Sequence, residues 1–188
     1  MTGGTGRTGS GSEIMSSSSA KMLVCVGEKS ACVKISGRAN FASSVDFKTL
    51  LNELLQKGYT GFVLDLSECV LMDSTFLGVL AGFGLKLNPS QPGSAAGPIE
   101  LLNPNPRIAE LLENLGVLHL FKVTQGEVLL PEPAEARDHA ASSPSREEVA
   151  RTCLEAHETL MAIHPGNVSR FKDVAQFLAE DLKKLKAS

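Results

Sequence analysis

Asp73, Ser74 and Thr75 place a carboxylate and two hydroxyls side by side. They sit between an apolar run ending near Leu66 and a new apolar pattern beginning at Phe76. That is where a buried strand ends and a helix begins. Two chemistries use such a group. As a nucleophile, either hydroxyl would need a histidine base and an acid to orient it. The candidate histidines are His119, His139, His157 and His164. His119 falls within an expected strand, His139 in a linker, and His157 and His164 in a tail, so none is expected at the site. The chain also lacks the H-E-x-x-H, G-x-S-x-G and G-x-x-x-x-G-K-[ST] motifs. Asp65 lies inside an apolar strand and is expected to cap or pair locally rather than pair with Asp73 in catalysis. No intrinsic enzymatic activity and no catalytic residue is expected. The other chemistry is phosphorylation. A phosphate at a helix N-terminus meets the positive end of the helix dipole and leaves the domain folded. It would also add nearly two negative charges beside Asp73 and repel an acidic or apolar partner. Helix capping alone also accounts for Asp73 and Ser74, so the residues themselves leave both readings open.

Composition narrows the function classes. The chain has 188 residues, a net charge of −3, no Trp and one Tyr. There is no basic stripe interleaved with aromatics, so direct nucleic-acid binding is not expected. The longest apolar stretch, Phe76 to Leu87, contains Lys86 and is too short to span a bilayer. The Gly/Ser/Thr-rich start has no apolar core like that of a secretory signal, and the expected location is cytoplasmic. Cys25, Cys32, Cys69 and Cys153 form no C-x-x-C pair and have no histidine at ligand spacing, so buried reduced thiols are expected. Neither metal nor cofactor is expected.

The elements follow from periodicity. Residues 1–20 read as a disordered leader, with Met15 or Met22 as alternative starts. Residues 22–26 and 31–36 are short β-branched runs around a Gly27–Ser30 turn, a hairpin. Ser43 and Asp46 have capping-box spacing, and Phe47, Leu50, Leu51, Leu54 and Leu55 then mark one helix face up to Gly58. Residues 62–66 form a strand buried on both faces. The helix after Asp73 is apolar nearly all round, and Gly78 and Gly82, four apart, would admit another backbone closely. A strand over 98–103 follows, then a helix capped by Asn105 with Pro106 at its first position. Gly116 ends that helix, and a strand over 117–123 closes the series. About five strands alternating with helices predict an α/β domain over 21–125, with a mixed, mostly parallel sheet after an N-terminal hairpin. Residues 126–145 read as a linker. Residues 146–188 carry two amphipathic helices, expected to fold back on their own domain or on a second copy ahead of serving as a free partner-binding arm.

The stretch from Met22 to Val123 resembles the STAS domain, the fold of anti-sigma factor antagonists. The element order carries the resemblance, with Val63-Leu64-Asp65-Leu66-Ser67 running to Met72-Asp73-Ser74-Thr75. Asn103-Pro104-Asn105-Pro106-Arg107 and the close at Leu115-Gly116 complete it. The resemblance implies a regulatory module that docks on an anti-sigma factor with serine/threonine kinase activity, is switched off by phosphorylation and is restored by a phosphatase. On that alignment Asp73 matches the family aspartate, Ser74 the first hydroxyl and Thr75 the phosphoacceptor, with Ser74 as second choice. Where the family places Gly after the acceptor, this chain has Phe76, a ring that either narrows kinase access or joins Asp73, Ser74 and Thr75 on the docking face. The alternatives are a non-phosphorylated STAS scaffold, with the C-terminal helices as oligomerisation or homodimer element, and a small-molecule or lipid binder near the glycine-rich helix. No membrane contact is expected.

Overall fold

A computed structural model of the chain describes residues 19–87, 99–127 and 137–187. Most of the expected leader, and much of the expected linker, lie outside these residues. Two strands, β1 (Lys21–Val26) and β2 (Ser30–Ala39), pair as the expected antiparallel hairpin, with the Gly27 N–H donating to the Ser30 carbonyl at 2.7 Å. Helix α1 (Phe41–Gln56) leads to β3 (Gly61–Asp65) and β4 (Cys69–Met72). Helix α2 (Ser74–Lys86), β5 (Ile99–Leu102) and α3 (Pro106–Asn114) follow. A 3₁₀ turn over Leu118–Leu120 runs into β6 (Phe121–Thr124). After β7 (Arg137–His139) come the two tail helices, α4 (Arg146–Ile163) and α5 (Gly166–Ala187).

The fold is α/β, with a mostly parallel sheet covered by helices. Strand order is β6-β5-β3-β2-β1-β7, and β4 pairs with the far end of β2. Strands β2, β3, β5 and β6 are parallel neighbours, whereas β1 joins β2 and β7 antiparallel. The described residues thus hold seven strands rather than about five. The two unforeseen ones are β4 and β7, and β7 lies inside the stretch read as linker. The expected strand over 117–123 also begins later. Gly116 turns the chain at φ 70° and the Leu120 N–H closes on the Val117 carbonyl, so residues 118–120 coil before the chain extends beside β5.

Helix α1 begins two residues before the expected cap. Asn40 is the N-cap: its side chain accepts from the N–H groups of Ala42 and Ser43, while the Ser43 hydroxyl accepts from the Asn40 N–H at 3.0 Å. Asparagine is as good a cap as serine, and Ser43 here plays the third-position role usually taken by Glu or Gln. Asp46 therefore takes no part in the cap. Buried, it accepts from the backbone N–H of Ser142 at 3.1 Å and from the Ser142 hydroxyl. The far end of α1 stops as expected, with Gly58 at φ 89°.

The core is a single cluster between sheet and helices. Phe47, Leu51, Leu64, Leu66, Phe76, Leu77, Leu80, Leu101 and Leu112 are fully buried in it. Each large apolar side chain buried this way contributes roughly 2 kcal/mol of transfer free energy. Helices α1 and α2 lock together through aromatic rings, with Phe47 stacked on Phe76 at 4.6 Å and edge-on to Phe83 at 6.3 Å. The tail folds back on its own domain. Helix α4 packs along α2 and α5 packs on α4, with Ala156 and Leu160 entering the main core.

Candidate functional site

The site is built where β2 and β4 end and two helices start. Asp73 is the N-cap of α2, its Oδ1 accepting from the Phe76 N–H at 2.8 Å. Its Oδ2 accepts from the Phe41 N–H at 2.6 Å, so one carboxylate holds the first turns of both α2 and α1. Its own N–H donates to the Ala39 carbonyl at 3.0 Å, which fixes the bend to the end of β2. The loop before it is equally determined. Asp65, buried at the end of β3, accepts from the Ser67 N–H at 3.0 Å, the local capping expected of it. Glu68 receives Lys34 at 2.6 Å and Ser36 at 3.0 Å; the lysine bond, with the serine bond second, holds its carboxyl below the ordinary glutamate range. Asn105 caps α3 through Oδ1 and donates through Nδ2 to the carbonyls of Cys69 and Val70, which ties α3 to β4.

Ser74 and Thr75 face the tail. The Ser74 hydroxyl lies 3.0 Å from His157 Nε2. His157 Nδ1 lies 2.8 Å from the Cys153 backbone carbonyl, which can only accept, so the proton sits on Nδ1. The neutral ring then accepts from the Ser74 hydroxyl at Nε2. Burial holds the His157 pKa below the ordinary imidazole value, against opposing pulls from the Cys153 carbonyl and the Asp73 carboxylate. Thr75, only 5 % exposed, donates from Oγ1 to Cys153 Sγ at 3.7 Å. Burial, aided by the Asp73 charge, pushes the Cys153 thiol up, with the Thr75 bond opposing. Phe76 is fully buried, its ring stacked on Phe47.

His157 is the residue that the sequence places away from the site. It stands 83 positions from Ser74, and its helical spacing marks it only as tail. The result is a Ser–His pair, but the triad pattern is incomplete, because Nδ1 is held by a backbone carbonyl in place of an acid. Of the other histidines, His119 lies on the 3₁₀ turn, His139 on β7, and His164 packs its ring on Gly116. Residues 21–128 match the family model described as STAS domain. The chain belongs to the STAS domain family. The match takes in the whole bend from Asp65 to Phe76 and ends before α4. No curated protein matches the chain. Among solved structures, the anti-sigma factor antagonist SpoIIAA in its unphosphorylated form has a TM-score of 0.48 and 19 % identity, over 56 % of this chain and 88 % of that one. An anti-sigma factor antagonist from Mycobacterium paratuberculosis has a TM-score of 0.48 and 18 % identity, over 56 % and 85 %. The Bacillus cell fate determinant SpoIIAA in its phosphorylated form gives 0.45 and 19 %, over 56 % and 91 %.

The remaining candidate groups of this STAS protein are its cysteines and two cavities. All four cysteines are free and buried, and burial pushes the thiols of Cys32 and Cys69 up to about 11, where they are poor nucleophiles at neutral pH. Among the described residues no group of three or more His, Cys, Asp or Glu side chains could hold a metal ion. No described helix is long and apolar enough to cross a membrane. A cavity of about 580 Å³ lies between β1, β7 and the end of α1, lined by Val24, Leu54, Lys57, Tyr59 and His139. A smaller one of about 210 Å³ lies along the seam of α1, α2 and α4, lined by Gly78, Gly82, Lys86 and Thr159. Neither is lined by Ser74 or Thr75.

Proposed function

We propose that this protein is a regulatory docking module of the anti-sigma factor antagonist type. It binds an anti-sigma factor with serine/threonine kinase activity through the bend at Asp73, Ser74 and Thr75 and the first turns of α2, and phosphorylation of Thr75 breaks the complex. A phosphatase resets it. The observation that carries the reading is the position of Asp73-Ser74-Thr75: inside the STAS match and at the start of α2. A phosphate there meets the positive end of the α2 dipole, while a partner pressed against the bend meets a new dianion. Phe76 serves the site indirectly, by seating α2 on α1.

The test is incubation with an anti-sigma factor kinase and ATP, read by intact mass and peptide mapping. One phosphoryl group is expected on wild type and none on Thr75→Ala. Equal incorporation in both would move the site elsewhere, with Ser74 next in line. The burial of Thr75 beneath α4 favours a second reading, a STAS scaffold that is never phosphorylated. That reading expects no phosphate on either protein, and a partner whose binding is indifferent to ATP.

A further inference from the structure

We infer that α4 and α5 form a removable cover over the docking site. The hairpin leaves α2 as a unit while the sheet and α1–α3 stay folded, and only then do Ser74 and Thr75 become open to a partner or a phosphorylating enzyme. The inference rests on the docking reading for its purpose, but its structural content stands apart from it.

Four observations carry it. The cover lies on the site itself: His157 holds the Ser74 hydroxyl and Cys153 receives that of Thr75. It seats on a backbone groove. A Cβ at Gly78 would lie 2.7 Å from both the carbonyl carbon and the Cβ of Ala156, and nearer still to the carbonyl oxygen, so α4 approaches α2 as closely as it does only because residue 78 is glycine. The outer helix of the cover is held shallowly, whereas α4 is seated through six buried residues, with Ala156 and Leu160 in the main core. Of the 22 residues of α5 only Asn167, Ala175 and Leu182 are buried, and Val168, Val174 and Phe177 stay exposed. Asn167 donates to the carbonyls of Leu115 and Leu160, yet its buried Oδ1 has no partner, a cost borne only by the docked state. Lastly, the STAS match ends at residue 128, and the connection over 140–145 has neither helix nor strand and contains Pro144. The thinly buried α5, the polar seam at Ser74, Thr75 and Asn167, and an irregular connection tied to the domain through Ser142 and Asp46 are the features of a segment that opens below the cost of global unfolding.

The groove also states what can replace α4. A partner element must be a helix with a small residue opposite Gly78, as Ala156 is, and a hydrogen-bonding group within reach of Ser74. Binding of such a helix and docking of α4 exclude one another.

The test uses the full chain and N-ethylmaleimide, with modification of Cys153 and Cys69 followed separately by peptide mass spectrometry under native conditions. Cys69 is buried in the main core and reports global unfolding. Gly78→Ala should intrude on Ala156 while favouring α2 itself, since alanine is the better helix former. His157→Ala removes the Ser74 bond with no added bulk. The expected result is Cys153 modification at least tenfold faster in Gly78→Ala, a smaller acceleration in His157→Ala, and an unchanged rate at Cys69. If Cys153 and Cys69 accelerate together, the hairpin opens only with the whole domain and the inference falls. It falls equally if Cys153 is unaffected in both variants. No phosphoryl transfer enters this readout, so a wrong assignment of Thr75 would leave it standing.

Discussion

Asp73 shows how one residue serves two elements. Its Oδ1 makes an N-cap, and its Oδ2 takes the Phe41 N–H at the start of α1. Removing it leaves two backbone donors without their partner, one in each helix. N-caps are worth about 1 kcal/mol, and hydrogen bonds to a charged group roughly 1.5–3 kcal/mol. The group is only partly buried and water takes up part of the loss, so Asp73→Ala should cost about 2 kcal/mol in urea unfolding. Asp73→Asn, which keeps an acceptor oxygen, should retain more than half of that. The cap is legible in the sequence, because an aspartate directly before an apolar helical pattern has few other uses. The bond to Phe41 is not, because it spans 32 residues and depends on β2 and β4 bringing the two helix starts together. Phe76 fails to read for a related reason. Its neighbours place it on a helix that is apolar all round, and only the packing of α2 on α1 decides that the ring points at Phe47 rather than outward.

At the scale of elements, periodicity finds what is long and regular. Helices α1, α2 and α3, the β1–β2 hairpin and the buried strand β3 all read from their patterns. Strands β4 and β7 do not. They are four and three residues long, and β7 is Arg137-Asp138-His139, with no apolar alternation at all. Its pairing is supplied by the open edge of β1, a tertiary circumstance no local pattern encodes. Strand β4 is held from outside by Asn105, whose Oδ1 caps α3 while its Nδ2 donates to the carbonyls of Cys69 and Val70. This predicts an unusual ranking. Aspartate caps as well as asparagine, yet Asn105→Asp sets a carboxylate against two carbonyls. Asn105→Ala, which loses the cap and the β4 bonds together, and Asn105→Asp, which keeps the cap but turns the β4 bonds into repulsion, should each cost about 1–3 kcal/mol in thermal or urea unfolding. An aspartate variant as stable as wild type would show that the bonds to β4 contribute nothing.

Over the whole molecule, the decisive fact is where the tail lands. Amphipathic spacing shows that α4 has a face to bury, and Gly78 and Gly82 show that α2 can receive a backbone, but only the fold joins the two. It does so through a titratable group. His157 is packed between Ser74 of α2, the Cys153 carbonyl of its own helix and the Phe171 ring of α5 at 4.9 Å, with the Asp73 carboxylate the charge that acts on it. Burial depresses its pKa in the docked state, so the docked state binds its proton less readily than the open one. Stability that depends on a depressed histidine pKa is fully present above the ordinary imidazole range, near about 6.5. It is lost progressively as pH falls from that range through the docked value. Protonation also destroys the acceptor that Ser74 uses, since both ring nitrogens then carry hydrogen. Acidification from about pH 7.5 to about 5.5, a window that brackets the ordinary imidazole value, should therefore loosen α4 and α5 before it loosens the sheet. Native hydrogen exchange, corrected for the intrinsic pH dependence of the amide rate, should show protection of α4 amides falling while β2 and β3 amides hold. In His157→Gln, which keeps a polar side chain but does not titrate, α4 protection should no longer depend on pH over this range. Equal pH dependence in the two proteins would place the titrating group elsewhere and leave His157 as a packing residue of the seam.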